Sequence, residues 1–407
     1  MDGPTVSQSS LRVAVAGAGA FGKNHLRVYR ELETAGQAVA LVAAVEPDAT
    51  RAAETAAKYA IPVFATVDEL LAADLHLNAA TVAVPTVHHH AVASVLLDAG
   101  LDLLVEKPLA ASLAEADDLV QRADKGSRIL QPGHLERFNP AVLAVQPQLR
   151  RPMFFESHRL SIFTPRALDV DVVLDLMIHD LDIVLTFAAS PVREVRAVGL
   201  PILSPKVDIA NVRVEFDSGC VANFTASRVS TDRVRKLRFF EPRQYVSIDY
   251  ARQDLLVIRV DGGMGKSSPA ELIASLPPQV AAMLPPGIAE GIASGKINLS
   301  KIDPAMIAQF AAMANIDPSV IAQFTSPAES KAALSFSKPA VTPGEPLRLE
   351  ILSFLESVRT RQQPRVTALQ GRNALALALE IQTSMAAHAE RAGLGDFFHP
   401  GAESACS

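Results

Sequence analysis

The stretch Val13-Ala14-Val15-Ala16-Gly17-Ala18-Gly19-Ala20-Phe21-Gly22 decides the fold, because an apolar run leads directly into three spaced glycines. Gly17 permits a tight turn, Gly19 lets backbone amides approach a phosphate, and Gly22 lets the next helix pack closely on the strand. Residues 23–32 have a helical pattern, so the glycines stand in a strand–turn–helix context. The stretch predicts a Rossmann domain that binds a dinucleotide through Gly17, Gly19, Ala20, Phe21 and Gly22.

Short β-rich runs alternate with helical segments through the rest of this region. The predicted strands are 11–17, 38–46, 62–64, 80–84, 102–105 and 128–132. This alternation is typical of a doubly wound parallel sheet in an α/β domain. Ser112-Leu113-Ala114-Glu115 is a capping box that starts a helix after the fifth strand. The nucleotide-binding domain is expected to span residues 1–134.

The pattern changes after a link marked by prolines. A strand is predicted at 153–162 and a helix at 171–188, and six alternating runs follow at 192–199, 209–216, 219–228, 234–241, 244–250 and 254–260. Such alternation favours an antiparallel meander. Residues 135–393, with helices at 345–361 and 368–392, should therefore form a C-terminal α+β domain with a large, mostly antiparallel open sheet. Residues 394–407 are a polar tail.

An insertion at about 262–343 has few charges and many alanines. Within it, Ile302–Phe310 and Ile316–Phe324 are near-repeats in which Asp can cap a helix and Pro occupies the first turn. Two copies are too few for a solenoid. We expect short helices here, and the pattern leaves open whether they pack on the body, cap a site or contact a partner.

Composition narrows the function classes. The 407 residues are enough for two domains, and a net charge of −6 without a dense Lys/Arg cluster argues against nucleic acid as a partner. No apolar run reaches the ~18 residues of a membrane span, and the N-terminus resembles no export signal, so a cytoplasmic location is expected. The two cysteines cannot build a disulfide framework or a cysteine-type zinc site. Small molecules are the expected partners.

Glu46 ends the second predicted strand, where an acidic residue can hold the ribose of a dinucleotide. Its carboxylate can accept hydrogen bonds from both ribose hydroxyls and would repel a 2′-phosphate. NAD is therefore the predicted cofactor and NADP the less favoured one, although Arg51 is a basic residue near enough to keep NADP open.

Two loops should meet at the carboxyl edge of the parallel sheet, since Val84-Pro85-Thr86 ends the fourth strand and Glu106-Lys107-Pro108 ends the fifth. An ammonium there can stabilise a developing alkoxide. The alternative is a solvated Lys107 paired with Glu106 on a turn. The residues of this edge predicted to line the cofactor site are Pro85, Thr86, His89, Glu106 and Lys107.

Asp175, His179 and Asp182 are spaced to project from one helical face. His179 can take a hydroxyl proton as hydride leaves the same carbon, while Asp175 orients it or binds a neighbouring hydroxyl. A metal would need Asp182 as a third ligand, and hydride transfer to NAD needs none, so no metal site is predicted. Three consecutive histidines, His88 to His90, cannot share one ion on a helix.

With these motifs the chain resembles the Gfo/Idh/MocA family of oxidoreductases. The likeness covers about 11–260 and 345–390 and rests on the glycine stretch and four ordered motifs, which are Pro85-Thr86-Val87-His88-His89, Glu106-Lys107-Pro108, Arg137-Phe138-Asn139-Pro140 and Asp175-x3-His179-x2-Asp182. The resemblance implies that Lys107 and His179 handle the proton and that Asp175 contacts substrate. It also implies a substrate site formed by Lys107, Arg137, Asn139, Asp175 and His179.

Two positions depart from the family pattern. Asp171-Val172-Val173-Leu174 replaces the usual glycines before the catalytic aspartate, and Glu46 stands where Asp is common. Residues 133–140 and 174–182 look most like nucleotide-sugar dehydrogenases, which implies a UDP-sugar substrate such as UDP-N-acetylglucosamine oxidised at the 3-position. Arg137 could pair with the substrate's phosphate or carboxylate, or instead form an interdomain salt bridge.

The leading hypothesis is thus an NAD-dependent dehydrogenase acting on a CH–OH group of a sugar. The alternatives are a free-sugar or inositol dehydrogenase or reductase, and a redox-silent NAD-sensing protein whose insertion contacts a partner. The resemblance also implies a homo-oligomer formed through the open C-terminal sheet. The substrate, the hydroxyl position, the direction and the subunit count do not follow from the sequence.

Overall fold

The computed structural model describes residues 10–164, 170–261 and 333–394. Contacts within the chain divide it into two units, one formed by Met1–Val257 with Lys338–Ser407 and the other by Ile258–Ser337. The first unit holds the parallel sheet and all but the last residues of the other sheet described below. Its described helices include none that is long and apolar enough to cross a membrane.

The N-terminal half is built on a six-stranded sheet whose strands are all parallel, in the order β3-β2-β1-β4-β5-β6. This is the doubly wound order predicted from the alternating pattern, and the prediction is confirmed. The strands are β1 (Leu11–Ala16), β2 (Val39–Val45), β3 (Val63–Phe64), β4 (Ala79–Val82), β5 (Asp102–Glu106) and β6 (Leu130–Gly133). The helices are α1 (Gly22–Thr34), α2 (Ala49–Tyr59), α3 (Val67–Ala72), α4 (His89–Asp98) and α5 (Leu113–Gly126).

The sheet is buried on both faces because helices cover each side. Val13 and Val15 of β1 pack into one apolar cluster, and Ala14 and Ala16 pack into another on the opposite face. A strand that is buried on both faces has a continuous run of apolar residues, and this is why β1 could be predicted from the sequence. The predicted capping box at Ser112 and Glu115 is confirmed at the start of α5.

The glycine turn lies where β1 and β4 diverge, at the switch point of the strand order. Gly17 has a φ of 96°, and a Cβ there would lie 2.6 Å from the Ala83 carbonyl oxygen. A Cβ at Gly22 would lie 1.8 Å from the Gly17 carbonyl oxygen. These two glycines are therefore required for the turn and for the approach of α1 to the sheet.

The C-terminal half is built on an open sheet of mostly antiparallel strands. Its strands are β7 (Phe154–Leu160), β8 (Val192–Leu200), β9 (Ile209–Phe216), β10 (Val221–Ser227), β11 (Val234–Glu241), β12 (Gln244–Asp249) and β13 (Asp254–Asp261). In the order β13-β12-β11-β7-β10-β9-β8, β7 lies between β10 and β11 and is parallel to β10. The prediction of a simple meander is wrong in this respect, because β7, which comes first in the chain, lies in the middle of the sheet and separates β10 from β11.

The helix predicted at 171–188 has two parts. Val173–Met177 form a π-helical turn, and α7 (Ile178–Ala188) continues as an α-helix. Oδ1 of Asp171 caps the turn by accepting from the amides of Val173 and Leu174 at 2.8 and 3.1 Å. The regular α-helical spacing assumed for Asp175 and His179 is therefore wrong, since a π turn carries more residues per turn than an α turn.

Three further helices complete the described fold. They are α6 (Pro140–Val145), α8 (Pro346–Thr360) and α9 (Ala368–Arg391). Ile351 and Phe354 of α8 pack into the same cluster as Val13 of β1, so the chain returns to the core of the nucleotide-binding half. Arg372 of α9 bonds Asp117 of α5 at 2.7 Å. The site between the halves is thus held from both sides.

Most of the predicted helical insertion, and both near-repeats, lie outside the described residues. Near its end, however, Ala333–Ser337 form a strand, β14, in the second unit. The prediction of helix for this part is wrong. Of the residue types that favour strands, this segment contains only Phe336, so its composition gave little indication of a strand. The predicted tail also lies outside the described residues from position 395 onward.

Candidate active site

Lys107 and Asp175 meet at the carboxyl edge of the parallel sheet. Nζ of Lys107 donates to the backbone oxygen of Asp175 at 2.6 Å and lies 3.5 Å from its Oδ1. The side chains are 18% and 32% exposed, so the pair is reachable from the crevice but shielded from bulk water. The alternative of a Lys107–Glu106 side-chain pair is wrong, because each of the two side chains has another partner.

His179 lies on the first turn of α7, close to this pair. It is 8% exposed, and its Nδ1 is buried with no hydrogen-bond partner among the described residues. Burial, and then the positive charge of Lys107, hold the pKa of His179 well below its ordinary value. The imidazole is therefore neutral at physiological pH and can accept a proton.

The glycine turn fits a dinucleotide pyrophosphate. A Cβ at Gly19 would meet nothing within 4 Å, so open space lies over the loop at this glycine. Helix α1 begins at Gly22 and has no side-chain cap, although the amides of Lys23 and Asn24 donate to the backbone oxygens of Gly19 and Phe21. Uncapped amides at the start of a long helix form an anion site.

Glu46 follows β2 at the mouth of the same loop. Its Oε2 accepts from the amide of Ala18 at 3.0 Å, and its Oε1 accepts from the amide of Asp48 at 3.0 Å and from Arg51 at 2.9 Å. Burial alone would raise the pKa of Glu46, but these hydrogen bonds outweigh it and lower the pKa. The carboxylate is thus charged and held beside the glycine loop, as a ribose-binding acid requires.

Pro85 and Thr86 lie after β4, where Thr86–His88 form a short 3-10 turn. His89 lies behind this wall instead of in the crevice. It is 1% exposed, and its ring nitrogens lie 2.9 Å from the Val84 oxygen and 2.8 Å from the Pro108 oxygen. The predicted ligand role of His89 is corrected to a structural one, since both polar atoms are engaged in joining the loops after β4 and β5.

Glu106 also points inward. It is 7% exposed, and its Oε1 lies 2.7 Å from Nε2 of His25 on α1. A carboxylate used in this way supports the loop that carries Lys107 but does not present itself to a ligand. The predicted cofactor contact of Glu106 is therefore replaced by a buried pair that fixes α1 to β5.

Arg137 forms a buried salt bridge with Asp182 of α7. It is 6% exposed, lies 3.3 Å from Oδ1 of Asp182, and also donates to the Thr186 hydroxyl and to the Arg365 oxygen. The structure contains a salt bridge at Arg137, but both of its partners lie within residues 135–393, so it is not the interdomain pair that was predicted. Three of its five N–H donors are engaged in these contacts, and the side chain is buried, which supports a structural role for Arg137.

Asn139 is 1% exposed and caps α6. Its amide nitrogen donates to Glu136 and to the Tyr250 oxygen at 3.1 and 3.0 Å, and its oxygen accepts from Ala141 at 3.1 Å. Because these contacts use both of its donors, the predicted substrate contact of Asn139 is corrected to a structural role.

Two buried residues near the site were not among the site residues predicted from the sequence. His134 follows β6 and is 1% exposed, and Glu350 on α8 is fully buried, with neither carboxylate oxygen bonded to any described residue. Burial, with the charges of Glu106 and Asp182, raises the pKa of Glu350 well above its ordinary value. The sequence did contain one indication that Glu350 is buried, because it lies on the apolar face of its helix, between Leu347 and Phe354.

Comparison with known proteins places both halves in one family. Residues 11–134 match the family model described as oxidoreductase family, NAD-binding Rossmann fold, and residues 141–243 match the model of the GFO/IDH/MocA C-terminal domain. A UDP-N-acetylglucosamine 3-dehydrogenase of Acidithiobacillus ferrooxidans is 36% identical over 254 residues, covering 62% of this chain and 78% of that protein. An inositol 2-dehydrogenase of Leifsonia xyli subsp. xyli is 33% identical over 195 residues, covering 46% of this chain and 56% of that protein.

Solved structures agree with this placement. The UDP-N-acetylglucosamine 3-dehydrogenase from Acidithiobacillus ferrooxidans has a TM-score of 0.71 at 28% identity, covering 93% of this chain and 98% of that one. A levoglucosan dehydrogenase, in complex with NADH and levoglucosan, has a TM-score of 0.68 at 15% identity and shares the fold. The predicted family, fold class and cofactor are confirmed: this chain belongs to the Gfo/Idh/MocA family of oxidoreductases and has an NAD-binding Rossmann domain.

Proposed function

We propose that this protein is an NAD-dependent dehydrogenase that oxidises a sugar hydroxyl, with the 3-hydroxyl of UDP-N-acetylglucosamine as the substrate group. The observation that carries the proposal is the convergence of Lys107 from one half with Asp175 and the neutral His179 from the other. An ammonium and a neutral imidazole at one crevice are the two groups that alcohol oxidation needs. The similarity to a UDP-N-acetylglucosamine 3-dehydrogenase supports the choice of sugar.

The residues divide the work as follows. The amides of the loop from Gly17 to Gly22 hold the pyrophosphate, and Glu46 holds the ribose. Bound NAD supplies the hydride acceptor. His179 takes the hydroxyl proton, so that the O–H bond breaks as an N–H bond forms on the imidazole.

Lys107 stabilises the negative charge that develops on the substrate oxygen. An ammonium has three donors, and the Asp175 backbone oxygen occupies one of them, which leaves two for the substrate. The Asp175 carboxylate, 3.5 Å from Nζ, pairs with this ammonium and can accept a hydrogen bond from a neighbouring hydroxyl. The pair thereby fixes the reacting oxygen between Lys107 and His179.

A second candidate is a free-sugar or inositol dehydrogenase. The 33% identity to an inositol 2-dehydrogenase favours it, and the burial of Arg137 and Asn139 is compatible with a substrate that lacks a diphosphate. A redox-silent NAD-sensing protein is the third. It is disfavoured by the Lys107–Asp175 pair, because a sensor has no use for an ammonium aimed at the crevice.

The test is a substrate panel. The protein is incubated with NAD and, separately, with UDP-N-acetylglucosamine, UDP-glucose, N-acetylglucosamine and myo-inositol, and absorbance of the reduced nicotinamide is followed. We expect turnover with UDP-N-acetylglucosamine and a 3-oxo product by mass spectrometry. Turnover of myo-inositol alone would select the second candidate, and NAD binding without turnover on any sugar would select the third.

We also propose a homo-oligomer formed through the open face of the C-terminal sheet. On this face Phe154, Phe240 and Tyr245 form a cluster, with ring centroids 5.4 and 5.1 Å from Phe240. Phe240 is 37% exposed, which is unusual for an aromatic ring in a sheet. Light scattering should show an oligomer for the wild type and a smaller species for Phe240→Glu; an unchanged mass in this variant would contradict the proposal.

A further inference from the structure

Both carboxylate oxygens of Asp171 are engaged, one by the π turn that follows it and the other by helix α9. Oδ1 accepts from the amides of Val173 and Leu174 at 2.8 and 3.1 Å. Oδ2 accepts from the side-chain amide of Gln382, which is 211 positions away in the chain. Asp171 is therefore the residue through which the start of the turn is fixed to a distant helix.

Helix α9 is itself held in place around Gln382. The Ser384 hydroxyl accepts from the Ala197 amide of β8 at 3.1 Å. A Cβ at Gly199 would lie 2.4 Å from the sulfur of Met385, so β8 and α9 are in close contact at this level. Gln382 is half-buried on this packed helix, and its bond to Asp171 thus has a fixed origin.

The main chain on either side of Asp171 is bound to the C-terminal sheet. The Val172 amide donates to the Val207 oxygen, in the connection from β8 to β9, at 3.1 Å. Arg228, which follows β10 and is 5% exposed, donates to the Val170 oxygen. The backbone before the turn is therefore fixed by the sheet, and the side chain of Asp171 by α9.

The turn connects Asp171 with the ammonium of Lys107. The Asp175 amide donates to the backbone oxygen of Asp171 at 3.0 Å. The backbone oxygen of Asp175 accepts from Nζ of Lys107 at 2.6 Å. Gln382 and Lys107 are thus linked by successive hydrogen bonds through Asp171 and Asp175.

The π turn depends on this support because π turns are rare and less favoured than the regular α-helix. The Ile178 amide donates to the Val173 oxygen, five residues earlier, which is the hydrogen bond of a π turn. The Asp171 carboxylate satisfies amides at the start of the turn, where a negative charge is also favoured by the helix dipole. Without this carboxylate, the turn can rewind as α-helix and change the direction of the Asp175 oxygen.

We propose that Asp171, held by Gln382, is a positioning residue that keeps the backbone oxygen of Asp175 within reach of Lys107 and so places the ammonium at the crevice. Asp171 acts through Asp175 and not on the substrate. The inference rests on the proposed dehydrogenase function, in which this ammonium stabilises the developing alkoxide.

The test exchanges the donor and the acceptor of the Asp171–Gln382 pair. Gln382→Glu sets a second carboxylate against Asp171 and should break the contact. Adding Asp171→Asn restores it with reversed roles, because the introduced amide can donate to the introduced carboxylate while its oxygen still accepts from the turn. Asp171→Ala removes the side-chain contacts altogether.

Two control variants match these changes. Thr66→Ala also removes a helix cap, since Thr66 accepts from the Glu69 amide at 3.2 Å at the start of α3, in the N-terminal half. Thr383→Glu adds a carboxylate to α9 at an exposed position next to Gln382. Neither residue contacts the π turn through any hydrogen bond described above.

The first measurement follows Lys107 itself in the resting protein. With 15N-labelled lysine, NMR gives the exchange rate of the ammonium protons with water, and Lys107→Met assigns the signal. Exchange should be about 10-fold faster in Asp171→Ala and Gln382→Glu, because an ammonium without the Asp175 acceptor is more open to water. The exchanged pair and both controls should stay within about 2-fold of the wild type.

The second measurement uses turnover. In Asp171→Ala and Gln382→Glu, kcat should fall about 10-fold while KM and the Kd for NAD stay within about 3-fold, because the lysine loses its alignment and the binding groups remain. The exchanged pair should recover kcat. If Asp171→Ala does not fold, Gln382→Glu and the exchanged pair decide the result.

The positioning role is overturned if Asp171→Ala and Gln382→Glu lower Tm but leave the Lys107 exchange rate at its wild-type value, which is the result of a purely structural role. It is also overturned if the exchanged pair does not restore that rate. A wild type that binds NAD but oxidises no sugar would instead overturn the proposed function, and the exchange rate of Lys107 would still decide the role of Asp171.

Discussion

The ammonium of Lys107 lies 2.6 Å from the backbone oxygen of Asp175, although the two residues are 68 positions apart and belong to different halves of the protein. The contact joins the loop after β5 to the π turn before α7. A π turn displaces backbone carbonyls from the regular ladder and so makes one available to another group. The same contact that ties the halves together therefore also aims the lysine at the crevice.

Replacing Lys107 by Met should lower kcat by about 10²- to 10³-fold, because the developing alkoxide loses its positive donor. Affinity for NAD should change only a few-fold, since the glycine loop and Glu46 hold the cofactor. Initial rates and NAD titration by fluorescence measure the two effects. Lys125→Met, at an exposed position of α5, is the matched control. A variant that keeps full kcat would remove Lys107 from the mechanism.

Replacing His179 by Asn should lower turnover by ~100-fold or more and leave NAD binding intact. In the wild type, the pKa of His179 lies well below 6.5 because the ring is buried and lies near Lys107. The base is therefore neutral at pH 6.5, and activity that depends on it should be lost only as the pH falls below that value. A rate profile between pH 4.5 and 8 checks this, with the exposed His76→Asn as control. An acid limb at or above pH 6.5 would contradict it.

Glu46→Gln should reduce the preference for NAD over NADP by about 10-fold. The amide oxygen can still accept from Ala18 or Asp48, but the negative charge that repels a 2′-phosphate is lost. Arg51, which now pairs with Glu46 at 2.9 Å, becomes free to bind that phosphate. Binding constants for both cofactors measure the effect. Glu54→Gln, on the exposed side of α2, should change neither.

Glu350→Gln should stabilise the protein at neutral and alkaline pH. The folded-state pKa of Glu350 is raised above its unfolded value by burial and by the charges of Glu106 and Asp182. Between these two pKa values the folded state binds more protons than the unfolded state, so stability falls as the pH rises above about 4.5. Glutamine removes this dependence while keeping the shape of the side chain.

The expected gain is a rise in Tm of about 1 °C at pH 8, corresponding to about 1 kcal/mol in a protein of this size, with little difference near pH 4. Thermal unfolding at several pH values measures it. Glu356→Gln, at an exposed position of the same helix, is the control and should show no such trend. A variant less stable than the wild type at pH 8 would mean that Glu350 is ionised and paired in solution.

Much of the fold was readable from local patterns. The six parallel strands, the glycine turn and the capping box at Ser112 each depend on residues close together in the chain. Apolar runs mark strands buried on two faces, and Gly17 is needed at its φ of 96° whatever surrounds it. Such features are set by backbone geometry and burial alone.

Other predictions failed because they depended on which distant residues pair with each other, and local sequence patterns do not specify this pairing. The parallel pairing of β7 with β10 requires strands separated by a long stretch of chain to meet, and alternation of side chains is the same in either direction. Similarly, His89, Glu106, Arg137 and Asn139 are polar residues near the crevice in sequence, but each turns inward to a buried partner.

By itself, the sequence determined the order of strands and helices, the glycine loop and the residue types that chemistry at the crevice needs. Only the tertiary structure decided which of these residues face the crevice, that Lys107 reaches Asp175, and that Glu350 and His134 lie buried behind the site. The physical reason is that periodicity and backbone conformation are local properties. Burial and hydrogen-bond pairing depend on which distant segments the packed halves bring together.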